Sequence, residues 1–216
     1  MKIRTINELQ DAIDKEMSWR KVELSAVRSN VNTARDFAKQ TAVRAGIALL
    51  YAHWEGCIKN IATYYLEYVA SLKISYDELS PNFLAIALKK DLSTFVETNK
   101  STIHTSLVNK IFNSKDLKLN IPVNGIIQTK SNLNSEIFEE IMATIGLSSE
   151  EYKSSYKFID EVLLNNRNSI AHGDRVESLG FSVDRYDDIH SKIVELLQKF
   201  STQISNAASL GQYRRQ

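Results

Sequence analysis

Helix breakers are almost absent from this sequence, although helical periodicity runs through most of it. Only two prolines, Pro81 and Pro122, and seven glycines occur in 216 residues, where average usage gives about eleven and about fifteen. Apolar residues return every three or four positions. Leu9, Ile13, Met17, Leu24, Val27, Val31, Ala34 and Ala38 mark one stripe, which predicts a long first helix beginning near Asn7, with Gln10 three residues on. A second helix is expected from about Thr41 to Leu72, burying Ile47, Trp54, Ile58, Ile61, Tyr65, Val69 and Leu72. Ser80-Pro81 then supplies an N-cap and a first-turn proline, where the missing N–H costs nothing, and Phe83, Ile86 and Ala87 open a third helix. A turn-rich β-sandwich or barrel is excluded, and the expected class is all-α.

The stretch 100–134 is less regular, with Pro122 and the turn pair Asn124-Gly125 between short apolar runs. It is read as a partly irregular insertion in a single domain spanning residues 1–216. Leu133, Ile137, Ile141 and Ile145 recover helical spacing before Gly146, a C′ glycine. Ser148 is a candidate N-cap, and Ile159, Val162 and Leu163 lead a helix toward Arg167. The last helix has the cleanest period: Tyr186, Ile189, Ile193, Leu196, Phe200, Ile204 and Ala207.

The single cysteine, Cys57, excludes an internal disulfide, and the N-terminus opens Met-Lys-Ile-Arg-Thr-Ile-Asn with no apolar run. A cytoplasmic protein without a membrane span is expected. A formal net charge of +1 gives no general attraction to polyanions, so nucleic-acid binding has to be local. Charge is uneven, however. From Lys89 to Lys130 seven lysines face three acidic residues, a net of +4; from Ser131 to Asn165 two lysines face seven, a net of −5. The basic segment suits either a phosphate backbone or an ordinary solvated surface.

Residues Asn166-Arg167-Asn168-Ser169-Ile170-Ala171-His172-Gly173-Asp174 place a cation, an amide and an imidazole together at the end of an apolar helix. Asn168 and His172, four apart, share a helical face, while Arg167 lies about 140° around from His172. One chain therefore makes an incomplete cluster. Two chains related by a twofold axis would bring Arg167 and His172 of each to one cleft. Such a group suits cleavage of RNA, in which the 2′-hydroxyl attacks the adjacent phosphorus. The guanidinium fork meets charge building on the phosphoryl oxygens, an imidazole moves the proton, and no metal or cofactor is required. The residues alone leave a second account open, a helix C-terminus dressed with polar caps.

Arg167-Asn168-x-x-Ala171-His172 resembles the signature of the HEPN superfamily, an Arg and a His four to six residues apart with a polar residue after the Arg. Arg44-Ala-Gly-Ile-Ala-Leu-Leu-Tyr-Ala-His-Trp-Glu-Gly56 and Ser131-Asn-Leu-Asn-Ser-Glu136 are similar to features of its bacterial MAE-type and RiboL-PSP-type branches. The three blocks cover about residues 40 to 175. The resemblance implies an all-helical HEPN-like bundle, a homodimer with the motif at its interface, and a metal-independent endoribonuclease of toxin–antitoxin or phage-defence systems. It makes Arg167 and His172 the catalytic pair and Asn168 their orienting neighbour. In the HepT-like branch a Tyr stands two residues after the His and receives nucleotides from the antitoxin; this chain has Asp174 there, so that mode of regulation is not implied.

Arg44 and Glu55, eleven residues apart, fall within about 20° of one helical face, opposite His53. They are candidates to bind substrate beside the catalytic segment, Arg44 toward phosphate and Glu55 paired with an Arg; a buried Arg–Glu pair between helices is the alternative. His53, His104 and His190 have no companions at metal-ligand spacing and are read as structural. Cys57 is expected in the core, and Trp54, Tyr64 and Tyr65 are placed to pack more than to stack on bases. Besides a dimeric ribonuclease with an RNA substrate and a possible antitoxin or defence partner, two other classes fit: a non-cleaving module binding RNA, nucleotide or antitoxin, and a helical assembly protein.

Overall fold

The computed structural model describes residues 2–113, 117–118, 120–174 and 182–215. Among these residues there are seven α-helices: α1 Ile6–Thr33, α2 Asp36–Ser71, α3 Pro81–Glu97, α4 Ser101–Asn113, α5 Ser135–Thr144, α6 Asn165–Ala171 and α7 Val183–Ser209. A 3-10 turn, Glu150–Ser155, and a π-helical stretch, Phe158–Leu164, lie between α5 and α6. There is no strand among the described residues, and the expected all-α class holds.

The first helix starts slightly earlier than its sequence suggests. Its cap is Thr5 rather than Asn7. The Thr5 hydroxyl accepts from the Glu8 N–H, while the Glu8 carboxylate accepts from the N–H groups of Thr5 and Arg4 at 3.0 and 2.7 Å, which closes a capping box. The stripe expected to run on to Ala38 is cut. Ala34 and Arg35 are extended, with ψ of 136° and 155°, and α2 starts at Asp36, not near Thr41. Neither proline nor glycine marks this break. Ser29, Asn30, Asn32 and Thr33 weaken the helix before it, and the Thr33 hydroxyl donates back to the Ser29 carbonyl at 2.8 Å, a local bond that competes with helix continuation.

The turn lets α1 and α2 pack against each other, and α7 closes over both. Helix α2, 36 residues and about 54 Å long, is the central element. Val43, Leu50, Tyr51, His53, Cys57, Ala62, Leu66 and Tyr68 are buried with the expected stripe except Leu72, which is the half-buried C-cap, so the helix is covered on several sides. Every apolar residue of the stripe expected on α7 is buried. Phe138 of α5 joins the layers, its ring 5.4 Å from Trp54, 4.9 Å from Tyr152 and 6.1 Å from Phe200.

Connections follow their local chemistry. Pro81 opens α3 as expected, but Ser80 turns its hydroxyl to Asn82 at 2.7 Å and caps nothing. Ser148 accepts from the Glu150 N–H at 3.2 Å. Gly146 ends α5 at φ 74°, a left-handed conformation that glycine adopts without strain. The stretch expected to be irregular from 100 contains α4, and residues 120–134 carry no helix. No helix of the described residues is long and apolar enough to cross a membrane.

Candidate active site

Helix α6 begins out of phase with what precedes it. The Asn165 N–H reaches back to the Asp160 carbonyl, a five-residue step that inserts one extra residue and rotates the following side chains. Ile159 and Leu163 remain buried, while Arg167 and Asn168 emerge half-buried on the flank facing α2. Asp160 also accepts from the Ser135 backbone N–H at 2.7 Å, tying this stretch to the start of α5.

The Arg167 guanidinium is held on several sides. Nη1 donates to Asn168 Oδ1 at 2.8 Å and Asn132 Oδ1 at 3.1 Å, and Nη2 to the Ser131 carbonyl at 3.4 Å. Its carbon stands 4.6 Å from the Tyr51 ring centroid, a cation–π contact. These acceptors use three of the five N–H donors. The Nε–H and one Nη2 hydrogen have no acceptor among the described residues.

His172 is the C-cap of α6, its own N–H donating to the Asn168 carbonyl at 2.9 Å. Gly173, at φ 88°, turns the chain so that Asp174 N–H bonds the Ser169 carbonyl at 3.0 Å. This Schellman closure ends the helix and leaves the imidazole exposed, with no hydrogen-bond partner among the described residues. Arg167 and His172 therefore share one short helix, with the cation immobilised and the imidazole presented at its end.

One stripe of α2 organises the surroundings. Arg44 lies beside the end of α6 and donates to the carbonyls of Ile170, at 3.4 Å, and Asp174, a cation satisfying C-terminal carbonyls. Two turns on, Tyr51 packs under Arg167 and its hydroxyl accepts from the Leu133 N–H at 2.6 Å. Burial pushes this phenol up to about 12; the Leu133 N–H opposes the shift and the Glu55 carboxylate adds to it. One further turn on, Glu55 accepts from the Thr129 hydroxyl. The expected pairing of Glu55 with an arginine is corrected. Among the described residues the buried Arg–Glu pair is Arg20 with Glu16, on the α1 side of α2, while Arg44 and Glu55 each bond a different segment.

Between Thr129 and Leu133 the chain makes a tight turn with Lys130 at φ 50° and Ser131 at φ 63°. Two consecutive non-glycine residues in the left-handed region store roughly 1–3 kcal/mol each. The three sequence blocks thus meet at Arg167. Tyr51 and Asn132 carry the meeting; both lie within those blocks, but the sequence alone assigns neither a role, since the first reads as one more core aromatic and the second as a loop amide.

The other candidates lie elsewhere. His104 is bound to the carbonyls of Phe95 and Thr98 at 3.1 and 2.8 Å, His190 to that of Leu24 at 3.2 Å, and His53 to Arg20 and Glu23. Trp54 and Tyr65 are fully buried and Tyr64 half-buried. Cys57 is also buried. Of the basic segment, Lys130 sits in the Arg167 turn, Lys110 pairs with Asp91 at 2.6 Å, and Lys115 lies outside the described residues. Among the described residues no three His, Cys, Asp or Glu side chains group as metal ligands.

The RiboL-PSP-HEPN family model matches residues 15–206, from the first helix through nearly all of the last. The chain belongs to the RiboL-PSP-HEPN family. No curated protein and no solved structure gives a significant match. Membership in this HEPN family associates the helical bundle with a nuclease or other RNA-related role.

Proposed function

We propose that this HEPN protein is a metal-independent endoribonuclease whose site forms between two copies of the chain. The observation that carries the reading is the contrast within α6: Arg167 is fixed by three acceptors and an aromatic face yet keeps two donors without an acceptor among the described residues, and the exposed His172 follows five residues later. The 2′-hydroxyl of RNA attacks the adjacent phosphorus, the bond to the 5′ oxygen breaks, and 2′,3′-cyclic phosphate and 5′-hydroxyl ends remain. Arg167 meets the charge on the non-bridging oxygens, and a guanidinium already oriented pays no reorganisation at that moment. One His172 takes the proton of the attacking hydroxyl, and its copy in the second chain protonates the leaving oxygen. Asn168 orients Arg167. Arg44 holds the end of α6, and with it His172, in place. In the cell this activity belongs to a cytoplasmic toxin or phage-defence effector controlled by a partner protein.

Purified protein is expected to cleave single-stranded RNA in EDTA and leave cyclic phosphate ends. Arg167→Ala and His172→Ala each lower the rate by at least about 100-fold. Variants that cleave as fast as the unaltered protein refute the assignment. RNA binding without turnover selects instead a non-cleaving module, a reading favoured by the three Arg167 donors already committed to protein acceptors.

A further inference from the structure

We infer that Thr129, Tyr51 and Glu55 are positioning residues that act through the strained 129–133 turn to set the orientation of Arg167. This inference rests on the proposed role of Arg167 for its catalytic consequence, but its structural content stands independently.

The turn is closed by one bond of its own, from the Asn132 N–H to the Thr129 carbonyl at 3.1 Å, which works against Lys130 and Ser131 both occupying a region that L-residues with side chains avoid. Contacts from outside it add to that bond. Two fasteners come from α2 and grip its two ends. At the start, the buried Thr129 gives its hydroxyl to Glu55. At the finish, the Leu133 N–H is bound by the Tyr51 hydroxyl. Glu55 and Tyr51 are four residues apart, one turn of α2, so a rigid helix sets the spacing of both grips. Between them the turn presents the Ser131 carbonyl and the Asn132 amide oxygen, and both receive the Arg167 guanidinium. Tyr51 acts twice, since the ring whose hydroxyl pins Leu133 also lies under that guanidinium.

Remove one fastener and the strain is released by relaxation of the turn, which carries its two acceptors away from Arg167. The Lys130 side chain, exposed in the same turn, moves with it. Residues distant in sequence thereby control the catalytic cation.

The test uses conservative substitutions on the full chain. Thr129→Val keeps shape and loses the hydroxyl, Thr129→Ser keeps the hydroxyl, and Tyr51→Phe keeps the ring. Thr129→Val and Tyr51→Phe are expected to lower kcat for RNA cleavage tenfold or more with KM changed less than twofold, and Thr129→Ser to retain the unaltered rate. Nitrogen-15 NMR of the arginine side chains gives a readout that needs no turnover: the Arg167 resonance, assigned by its loss in Arg167→Ala, is expected to be shifted and slowly exchanging in the unaltered protein and in Thr129→Ser. In Thr129→Val and Tyr51→Phe it averages toward the free-arginine position. If both variants keep the unaltered rate and resonance while Arg167→Ala abolishes cleavage, the brace is overturned and the ribonuclease reading stands. If Arg167→Ala cleaves normally, that reading falls, and the resonance alone decides the brace.

Discussion

Arg20 is a cation enclosed by the protein. Its guanidinium binds Glu16 through Nε at 3.0 Å and through Nη2, and reaches His53 Nδ1 at 3.1 Å and the His53 carbonyl at 3.3 Å. Asn60 and Trp19 complete the Glu16 carboxylate at 2.7 and 3.2 Å. Because Arg20 donates to Nδ1, the His53 proton sits on Nε2, facing Glu23 at 2.8 Å. Burial first, and the Arg20 charge second, push the His53 pKa below its ordinary value, with Glu23 and Glu16 opposing. His190 is lowered as well: burial dominates, the Leu24 carbonyl opposes it, the Arg28 charge adds to it, and Asp187 opposes it. Both imidazoles are harder to protonate in the fold than in the open chain, so the unfolded state binds protons first as pH falls. Their contribution is full above about pH 6.5 and is lost as pH drops through the depressed native values. Thermal denaturation from pH 8 to pH 5 is expected to show a falling midpoint, with a shallower slope in His53→Gln. A midpoint that stays level would sink this account.

Gly46 of α2 lies against Tyr186 of α7. A Cβ built there lies 2.5 Å from Cε2 and 2.9 Å from Cζ of Tyr186, whose ring is completely buried and has no open space in which to swing. The helical preference for alanine over glycine is worth about 1 kcal/mol, and the clash exceeds it. Gly46→Ala is expected to destabilise the fold by about 1–3 kcal/mol, read from urea denaturation; a gain in stability would show that the two helices can separate freely. The same scale explains two differences from the periodic pattern. The α1–α2 break falls where Asn, Ser and Thr compete with the backbone, although apolar spacing continues across it. The buried surface of α2 is wider than one stripe because α1, α6 and α7 all pack on it.

At the scale of the molecule, one chain fixes Arg167 and exposes His172 about two fifths of a helical circumference away, so in the proposed reaction a single copy offers one imidazole for two proton transfers. On the proposed mechanism a second copy related by a twofold axis supplies the other. Light scattering at micromolar concentration is expected to give twice the mass of the chain, and a monomer with full ribonuclease activity would exclude a composite site. The scarcity of prolines and glycines, the stripe on α7 and the C′ glycine at Gly146 were readable from the sequence because they depend on neighbours within a few residues; Ser148 misses by one, since the cap of the 3-10 turn is Ser149. The Arg167, Asn168 and His172 segment was readable for the same reason, being a single turn and a half of helix. How Arg167 is held was not. Tyr51, Asn132 and Thr129 become partners only after α2, the left-handed turn and the π-shifted α6 pack together, and no local period encodes which faces will meet. The sequence by itself determined an all-helical chain carrying a cation and an imidazole at a helix end. Tertiary packing decided that the cation would be fixed and the imidazole presented, because contacts between segments some eighty and thirty-five residues apart exist only where rigid helices bring them together.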